Sequence, residues 1–453
     1  MRKYYLSGMQ RESLALINLG TFLEYFDFKV YVHIAVILNV LFFPTTDPYT
    51  QSLLAAFSFS MAYVLRPVGS FFFGILGDMW GRKVNIIVTT LLMSITCFFM
   101  ACMPTYAQIG WYASIAVLVC RIVQGIASGV EVVGAVVYTT ESVKAPRCYF
   151  YTVLIGVAAE SGSLFALAAC TLMLTIRPED GWRYIFFLGS AIAVVGSIAR
   201  VRLKESPEFI NATKQRKIVN VKSLKLWETF KQTRRNTIAY FLLQMRGPFL
   251  FYMTYIGLNE FIARRYGYTP TDIIKHNLFL SLTSFGTYIV FVCLTRYIFP
   301  FRLLKMIGWT LFGFSILLTG MLNESSGLLY ISLAQGIMGC LNVTGISDAI
   351  FTRGFPVIGR YTIMGTAYSF ARSITALTTS YACVVIASTF GLTGVFVLMI
   401  VIMGIHLIGL YLFEPCKEDR KIEQNWSKEM KDTTHSSEKS NHITKKDDSV
   451  YVD

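Results

Sequence analysis

The sequence predicts an all-α integral membrane protein: twelve transmembrane helices in two six-helix bundles, with both termini cytoplasmic. Three observations carry this reading. Of the 453 residues, 54% are hydrophobic and only 15% charged, against about 25% charged in an ordinary soluble domain. Apolar runs of about 17 to 29 residues, each long enough to cross a bilayer, follow one another from Leu14 to Phe413. Finally, the Lys and Arg residues concentrate in alternate connectors between those runs, as membrane topology requires.

The runs lie at 14–40, 52–76, 84–103, 112–139, 150–174, 184–203, 237–261, 276–294, 306–322, 327–350, 361–389 and 394–413. With the N-terminus inside, the inner connectors, taken together with Arg200 and Arg202 at the end of the sixth run, hold 23 Lys and Arg, whereas the outer ones hold five: Arg177, Arg183, Arg264, Arg265 and Lys275. The polar start, Met1 to Glu12, leads directly into the first run and reads as part of a retained first span. The longest inner connector divides the runs six and six. The expected units are therefore a first bundle at 1–203, a basic cytoplasmic linker at 204–235, a second bundle at 236–414 and a disordered cytoplasmic tail at 415–453.

The linker's basic charge suits anionic lipid headgroups, with Leu224, Trp227 and Phe230 dipping into the interface; a solvated linker is the alternative. The tail is too polar to bury a core and is expected to form at most a short helix carrying Ile422, Trp426 and Met430 on one face.

The net charge of +14 would suit a nucleic-acid partner, but its placement in short connectors argues against one. The nine cysteines lie mostly inside apolar runs and form no Cys-x-x-Cys pair, and the five histidines are scattered. Neither a disulfide framework nor a metal site is expected. No phosphate-cradling glycine loop or nucleophile elbow is present, so an enzyme is the least favoured class and no cofactor is called for beyond a coupling proton.

The informative residues are charges in the wrong solvent. Within the runs stand five cations (Lys29, Arg66, Arg121, Arg246, Arg372) and four well-embedded acids (Glu24, Asp27, Glu131, Glu160). At about 3 kcal/mol each in hydrocarbon, they must face one another or water. A polar chamber between helices meets that need and is most simply a solute pathway.

On the first run Glu24, Asp27 and Tyr31 fall near one helical face. On the fourth, Arg121, Gln124, Ser128 and Glu131 form a second polar stripe beside Gly125 and Gly129, where small residues admit a neighbouring helix. A carboxyl held between burial, which favours its proton, and a neighbouring Arg, which favours its charge, can titrate near neutral pH. A substrate carboxylate that took Arg121 would release such an acid to bind a proton, so the two ligands would favour each other. Asp27, Glu131, Glu160 and Glu24 all remain candidates for the proton carrier. A permanent ion pair is the plain alternative for Glu131.

Between the second and third runs lies Gly74-x-x-Gly77-Asp78-Met79-Trp80-Gly81-Arg82-Lys83, which resembles the cytoplasmic signature of the major facilitator superfamily. Arg121-x-x-x-Gly125-x-x-x-Gly129 resembles the fourth-helix motif of the same superfamily. Glu24-Tyr25-Phe26-Asp27-Phe28, Arg66-Pro67-Val68-Gly69, Gln124-Gly125, Glu131 and the stretches Gly181-Trp182-Arg183 and Glu205-Ser206-Pro207-Glu208-Phe209 are similar to the metabolite:proton symporter family. That family includes bacterial proline/betaine, shikimate, citrate and 2-oxoglutarate transporters. The likeness covers about 12–414 and is strong as far as Phe209. In the second half the glycine-rich signature has decayed to Thr295-Arg296 through Arg302, Arg353 stands where the family tends to have an acid, and Lys29 is a further departure.

The resemblance implies two bundles rocking about a midplane site, with inward proton flow driving uptake across a bacterial inner membrane. Gly74, Asp78, Gly81, Arg82 and Lys83 would form a cytoplasmic latch that pairs with neighbouring helix ends in the outward-open state. Phe42-Phe43-Pro44-x-x-Asp47-Pro48 and Glu160-Ser161-Gly162-Ser163 point to the proline/betaine branch, so the solute is expected to be a small zwitterion. Its carboxylate would meet Arg121, with Gln124 and Arg66 nearby, and its quaternary nitrogen would rest on Tyr25, Tyr31 or Tyr255. A symporter of organic anions such as dicarboxylates and a transport-dead nutrient sensor are the alternatives.

Overall fold

The structure is a computed structural model that describes residues 8–44, 63–218, 226–321, 326–343 and 345–426. Among the described residues the regular structure is helical. The expected run at 52–76 is described only from Tyr63, and Asp47-Pro48, Leu224 and Met430 lie outside the described residues.

The helices are α1 (Gly8–Phe42), α2 (Arg66–Trp80), α3 (Arg82–Cys102), α4 (Trp111–Ser128), α5 (Glu131–Ser142), α6 (Arg147–Ile176) and α7 (Gly181–Arg200). They continue as α8 (Pro207–Ile218), α9 (Leu226–Gln244), α10 (Arg246–Tyr252), a π-helical turn at Met253–Gly257, α11 (Leu258–Tyr266), α12 (Pro270–Leu294) and α13 (Pro300–Met321). The last are α14 (Leu328–Leu341), α15 (Asp348–Arg353) and α16 (Arg360–Leu412). Seven of the described helical segments are long and apolar enough to cross a membrane, one of them formed by α4 and α5 together.

At about 1.5 Å per residue, the 53 residues of α16 would run about 80 Å, far beyond a hydrocarbon core of about 30 Å. The chain instead turns at Gly391, where φ 64° and ψ −163° leave the helical region. Only a glycine adopts that backbone readily, and it lies in the connector expected between 361–389 and 394–413.

The most extensive contacts between the halves are those of α2 along α16 and of α6 along α12. Gly74 makes the first possible, because a Cβ there would stand 2.8 Å from the Thr362 Cα. Large apolar side chains such as Phe71, Phe72, Phe98, Phe99, Trp309 and Tyr411 are exposed on the outer faces, a surface suited to lipid and not to water. At one end of the molecule a buried cluster draws on both halves, including Tyr149, Tyr240, Phe299, Phe351 and Tyr361.

The short helix expected in the tail lies at its start. Residues 417–426 are helical because the segment has something to bury: the rings of Trp426 and Phe299 meet at 5.9 Å, and Trp426 and Tyr149 at 6.4 Å. Arg353 binds both Glu418 and Asp419, and Arg302 binds Glu423 at 2.7 Å. The linker is also more ordered at its start than a solvated connector. Glu205 accepts from the backbone N–H groups of Arg82 and Lys83 at 3.1 and 3.3 Å, capping α3. Trp227 and Phe230 stack on each other and remain exposed.

Candidate functional site

The α1 helix presents two chemically distinct faces. Glu24, Asp27 and Tyr31 share one, and Tyr25, Lys29 and His33 lie on the other. The first face turns into the bundle of the first half.

There the Asp27 carboxylate accepts from the Cys97 thiol of α3 at 2.5 Å and from Gln124 Nε2 of α4 at 3.2 Å. The Gln124 amide turns its oxygen to Arg121, whose Nη1 donates to it at 2.8 Å. The guanidinium lies 3.7 Å from the centroid of the Tyr31 ring. Arg121 is 2% exposed, yet its Nε and Nη2 meet no protein acceptor. Leaving a buried donor unmet costs about 1–3 kcal/mol, and more for a charged group, so the free Nε and Nη2 donors suit a planar anion.

The helix expected on the fourth span is interrupted. Helix α4 ends at Ser128 and α5 begins at Glu131, with Gly129 and Val130 between them still in the right-handed helical region and Glu131 still in the field of Asp27. The break is where α2 presses in, its Arg66 carbonyl and Ser70 hydroxyl occupying the space a Gly129 side chain would need. Glu131 pairs instead with Arg200 at the end of α7, at 2.7 Å, and accepts from Thr90 at 3.0 Å. Arg200 also bonds Thr90. Glu24 lies in the fields of Glu131, Arg66, Arg200 and Arg372, with its Oε2 unmatched by any protein donor.

The second face of α1 meets the other half of the chain. Lys29 lies against the Phe251 and Tyr255 rings, and the His33 and Tyr255 rings meet edge to face at 5.7 Å. Glu160 of α6 acts electrostatically on Lys29. The Arg66 guanidinium lies 4.3 Å from the Tyr63 ring centroid, while Arg372 bonds the Tyr368 hydroxyl and feels Tyr25. The residues expected at one substrate site are thus divided. Arg121, Gln124, Asp27 and Tyr31 are together; Tyr25, Arg66, Glu160 and Tyr255 are grouped around the seam between the halves.

A third group closes one end of that seam. Asp78 accepts from the Thr362 N–H at 3.0 Å and its hydroxyl at 2.7 Å, and pairs with Arg82 at 3.2 Å. Arg82 also binds Glu141 at 3.0 Å and donates to the Gly77 carbonyl at 2.8 Å and, across the seam, to that of Val357 at 3.1 Å. Arg360 reaches back to Glu141 at 3.3 Å and to Glu208 at 3.6 Å. Gly81, at φ 113°, sits against Glu205, which leaves no room for a side chain. Lys83 contributes its backbone N–H to Glu205. Burial raises the Asp78 carboxyl above the usual carboxylate range, against the pull of Arg82 and Thr362.

Sequence reasoning missed Arg200, Cys97, Glu141 and Thr362. Arg200 carried a readable signal, since it lies within the expected span 184–203; the other three are ordinary residues whose partners are distant in the chain. Among the described residues no group of three or more His, Cys, Asp or Glu could hold a metal ion.

Residues 14–241 match the family model described as sugar (and other) transporter. The proline/betaine transporter of Salmonella typhimurium is 34% identical over 207 residues, covering 45% of this chain and 41% of that protein. The chain therefore aligns with less than half the length of that relative. The inner membrane metabolite transport protein YhjE of Escherichia coli K12 is 28% identical over 425 residues, covering 91% of this chain and 96% of that protein. Among solved structures, the proton:xylose symporter XylE superposes with a TM-score of 0.72 at 14% identity, covering 90% of this chain and 95% of its own. The human organic anion transporter MFSD10 does so at 0.65 and 17%, covering 90% and 100%. With half its length in the family match and the fold of these neighbours over about 90% of the chain, the chain belongs to the sugar (and other) transporter family and has the major facilitator fold.

Proposed function

We propose that this chain is a proton-coupled symporter that takes up a small carboxylate-bearing solute by alternating access. In this reading, twelve helices form two bundles in a bacterial inner membrane, with both termini cytoplasmic and the basic segment 204–235 against anionic headgroups. The observation that carries it is the buried Arg121 guanidinium, held through Gln124 to Asp27 and left with its Nε and Nη2 donors for an anion.

The coupling follows from that chain of contacts. A solute carboxylate on Arg121 draws the guanidinium from Gln124, and the Gln124 amide then supports the Asp27 charge less well. Asp27 binds a proton more readily as a result. Conversely, a proton on Asp27 frees Arg121 for solute, so each ligand favours the other. Asp27 is preferred to Glu131 as the carrier because Glu131 already has Arg200 as a close counter-ion. Glu24 and Glu160 remain secondary candidates. The Asp78–Arg82 group acts as the latch that parts when the molecule opens to the cytoplasm.

The likeness to proline/betaine transporters supports a zwitterionic solute. Organic anions form the second reading, favoured by the Lys29 ammonium at the seam. Uptake into proteoliposomes under an inward proton gradient tests the proposal. Accumulation of a carboxylate solute that collapses with a protonophore is expected. Equilibration without accumulation rejects proton coupling.

A further inference from the structure

The buried Lys29 ammonium occupies a site that aromatic rings have built for a cation. Its Nζ stands 3.9 Å from the centroid of Phe251, at the end of α10, and 4.5 Å from that of Tyr255, in the π-helical turn. The two rings are neighbours, 5.2 Å apart and inclined at 38°, so together they offer adjoining negative faces. This is the arrangement by which proteins hold quaternary ammonium groups. Lys29 reaches it from the opposite half of the chain, and is 4% exposed. The charged groups whose fields reach it are Glu160 of α6 and Arg372 of α16.

We propose that Lys29 is the specificity-determining residue of the solute site: a tethered cation that fills the Phe251–Tyr255 pocket, excludes solutes carrying a fixed positive charge, and offers its ammonium to an organic anion. This rests on the symporter reading above and decides between its two solute classes in favour of the organic anion. Two like charges in one buried pocket repel strongly because little water screens them. The resident cation also has the advantage of attachment, since a side chain fixed to α1 competes at a high effective concentration. A trimethylammonium group would have to displace it.

A carboxylate meets the reverse situation. Ring contact does not consume the three N–H donors of an ammonium, and Lys29 can turn them to an anion without leaving the rings. On the other face of α1, Arg121 has unspent donors of its own. The first helix therefore stands between two buried cations that can each meet a carboxylate, Lys29 in the field of Glu160 and Arg121 linked through Gln124 to Asp27.

The test compares uptake of labelled 2-oxoglutarate and labelled glycine betaine by the full chain in proteoliposomes under an inward proton gradient. Wild type, Lys29→Met and Lys29→Arg are measured, each first shown to elute as a folded, monodisperse protein. Expected are at least tenfold greater accumulation of 2-oxoglutarate than betaine by wild type and preserved preference in Lys29→Arg. In Lys29→Met, a tenfold loss of 2-oxoglutarate uptake with a gain in betaine uptake is expected. Accumulation of betaine by wild type that Lys29→Met leaves unchanged or lowers overturns the role of Lys29 while leaving the symporter intact. Absence of gradient-driven accumulation of either solute by wild type, extended to a wider panel of carboxylates, overturns the symporter reading itself.

Discussion

Asp419 is buried between Tyr149, near the start of α6 in the first half of the chain, and Arg353, at the end of α15 in the second. The Tyr149 hydroxyl donates to its carboxylate at 2.7 Å and Arg353 Nε at 2.8 Å. One side chain of the tail thus ties two helix ends that rocking of the halves would separate. Asp419→Asn weakens charge-assisted bonds worth about 1.5–3 kcal/mol. The buried Cys148 beside them should then react at least about tenfold faster with a maleimide, with Cys170, buried in a different cluster, as the unchanged control. Equal Cys148 rates in both proteins would show that the tail does not restrain this end.

Arg121→Ala should lower gradient-driven accumulation about a hundredfold, with membrane insertion unaffected. Arg121→Lys should rescue little, since an ammonium cannot reproduce the fork of a guanidinium or its stacking on Tyr31. Initial uptake rates at equal amounts of inserted protein provide the measurement, and near-normal transport by Arg121→Ala would remove it from the solute site.

The Glu131–Arg200 pair separates structure from coupling. Glu131→Gln strips a buried cation of its partner, at a cost of about 3–5 kcal/mol, and should lower the melting temperature. The double variant Glu131→Gln/Arg200→Met removes both charges and should recover most of that stability. If Asp27 carries the proton, the double variant also keeps the pH dependence of uptake. A pH-independent profile in the stable double variant would transfer the coupling role to Glu131.

Internal pH should act on the latch through Asp78, which lies beyond the expected end of its span at residue 76. Its carboxyl is raised by burial in the closed arrangement; exposed on opening, it would return toward an ordinary value of about 3.9. The closed arrangement therefore binds the proton more tightly. Acidification between those two values favours closure, and the advantage is lost as pH rises through the raised value. Solute efflux should slow as internal pH falls, and Asp78→Asn should abolish that dependence within the same window. An unchanged pH profile in Asp78→Asn would exclude Asp78 as the source.

The helices were legible because apolar periodicity is a local property. Gly391 was foreshadowed by a short gap between two apolar runs, and the signature at Gly74 and Asp78 by its glycine spacing. Partners distant in the chain were not legible. Nothing near Glu131 marks Arg200 as its counter-ion, and nothing near Gly129 shows that α2 presses in against it. The docking of the tail helix was hidden for a related reason. Its composition is polar, but Asp419 and Trp426 find buried partners on a surface formed by remote segments. Lys29 was visible as a charge out of place, whereas the rings awaiting it lie more than two hundred residues away.

The π-helical turn at Met253–Gly257 gives those rings a mechanical setting. A π turn holds one residue more than an α turn, and the Tyr255 carbonyl accepts from the Asn259 side chain at 2.7 Å. Rewinding it to α geometry would swing the residues on one side by about 100° relative to the other, taking Tyr255 out of line with Phe251. The grip on whatever cation sits there is thus tied to the winding of a single helix, which can act as a ratchet tooth between loading and release.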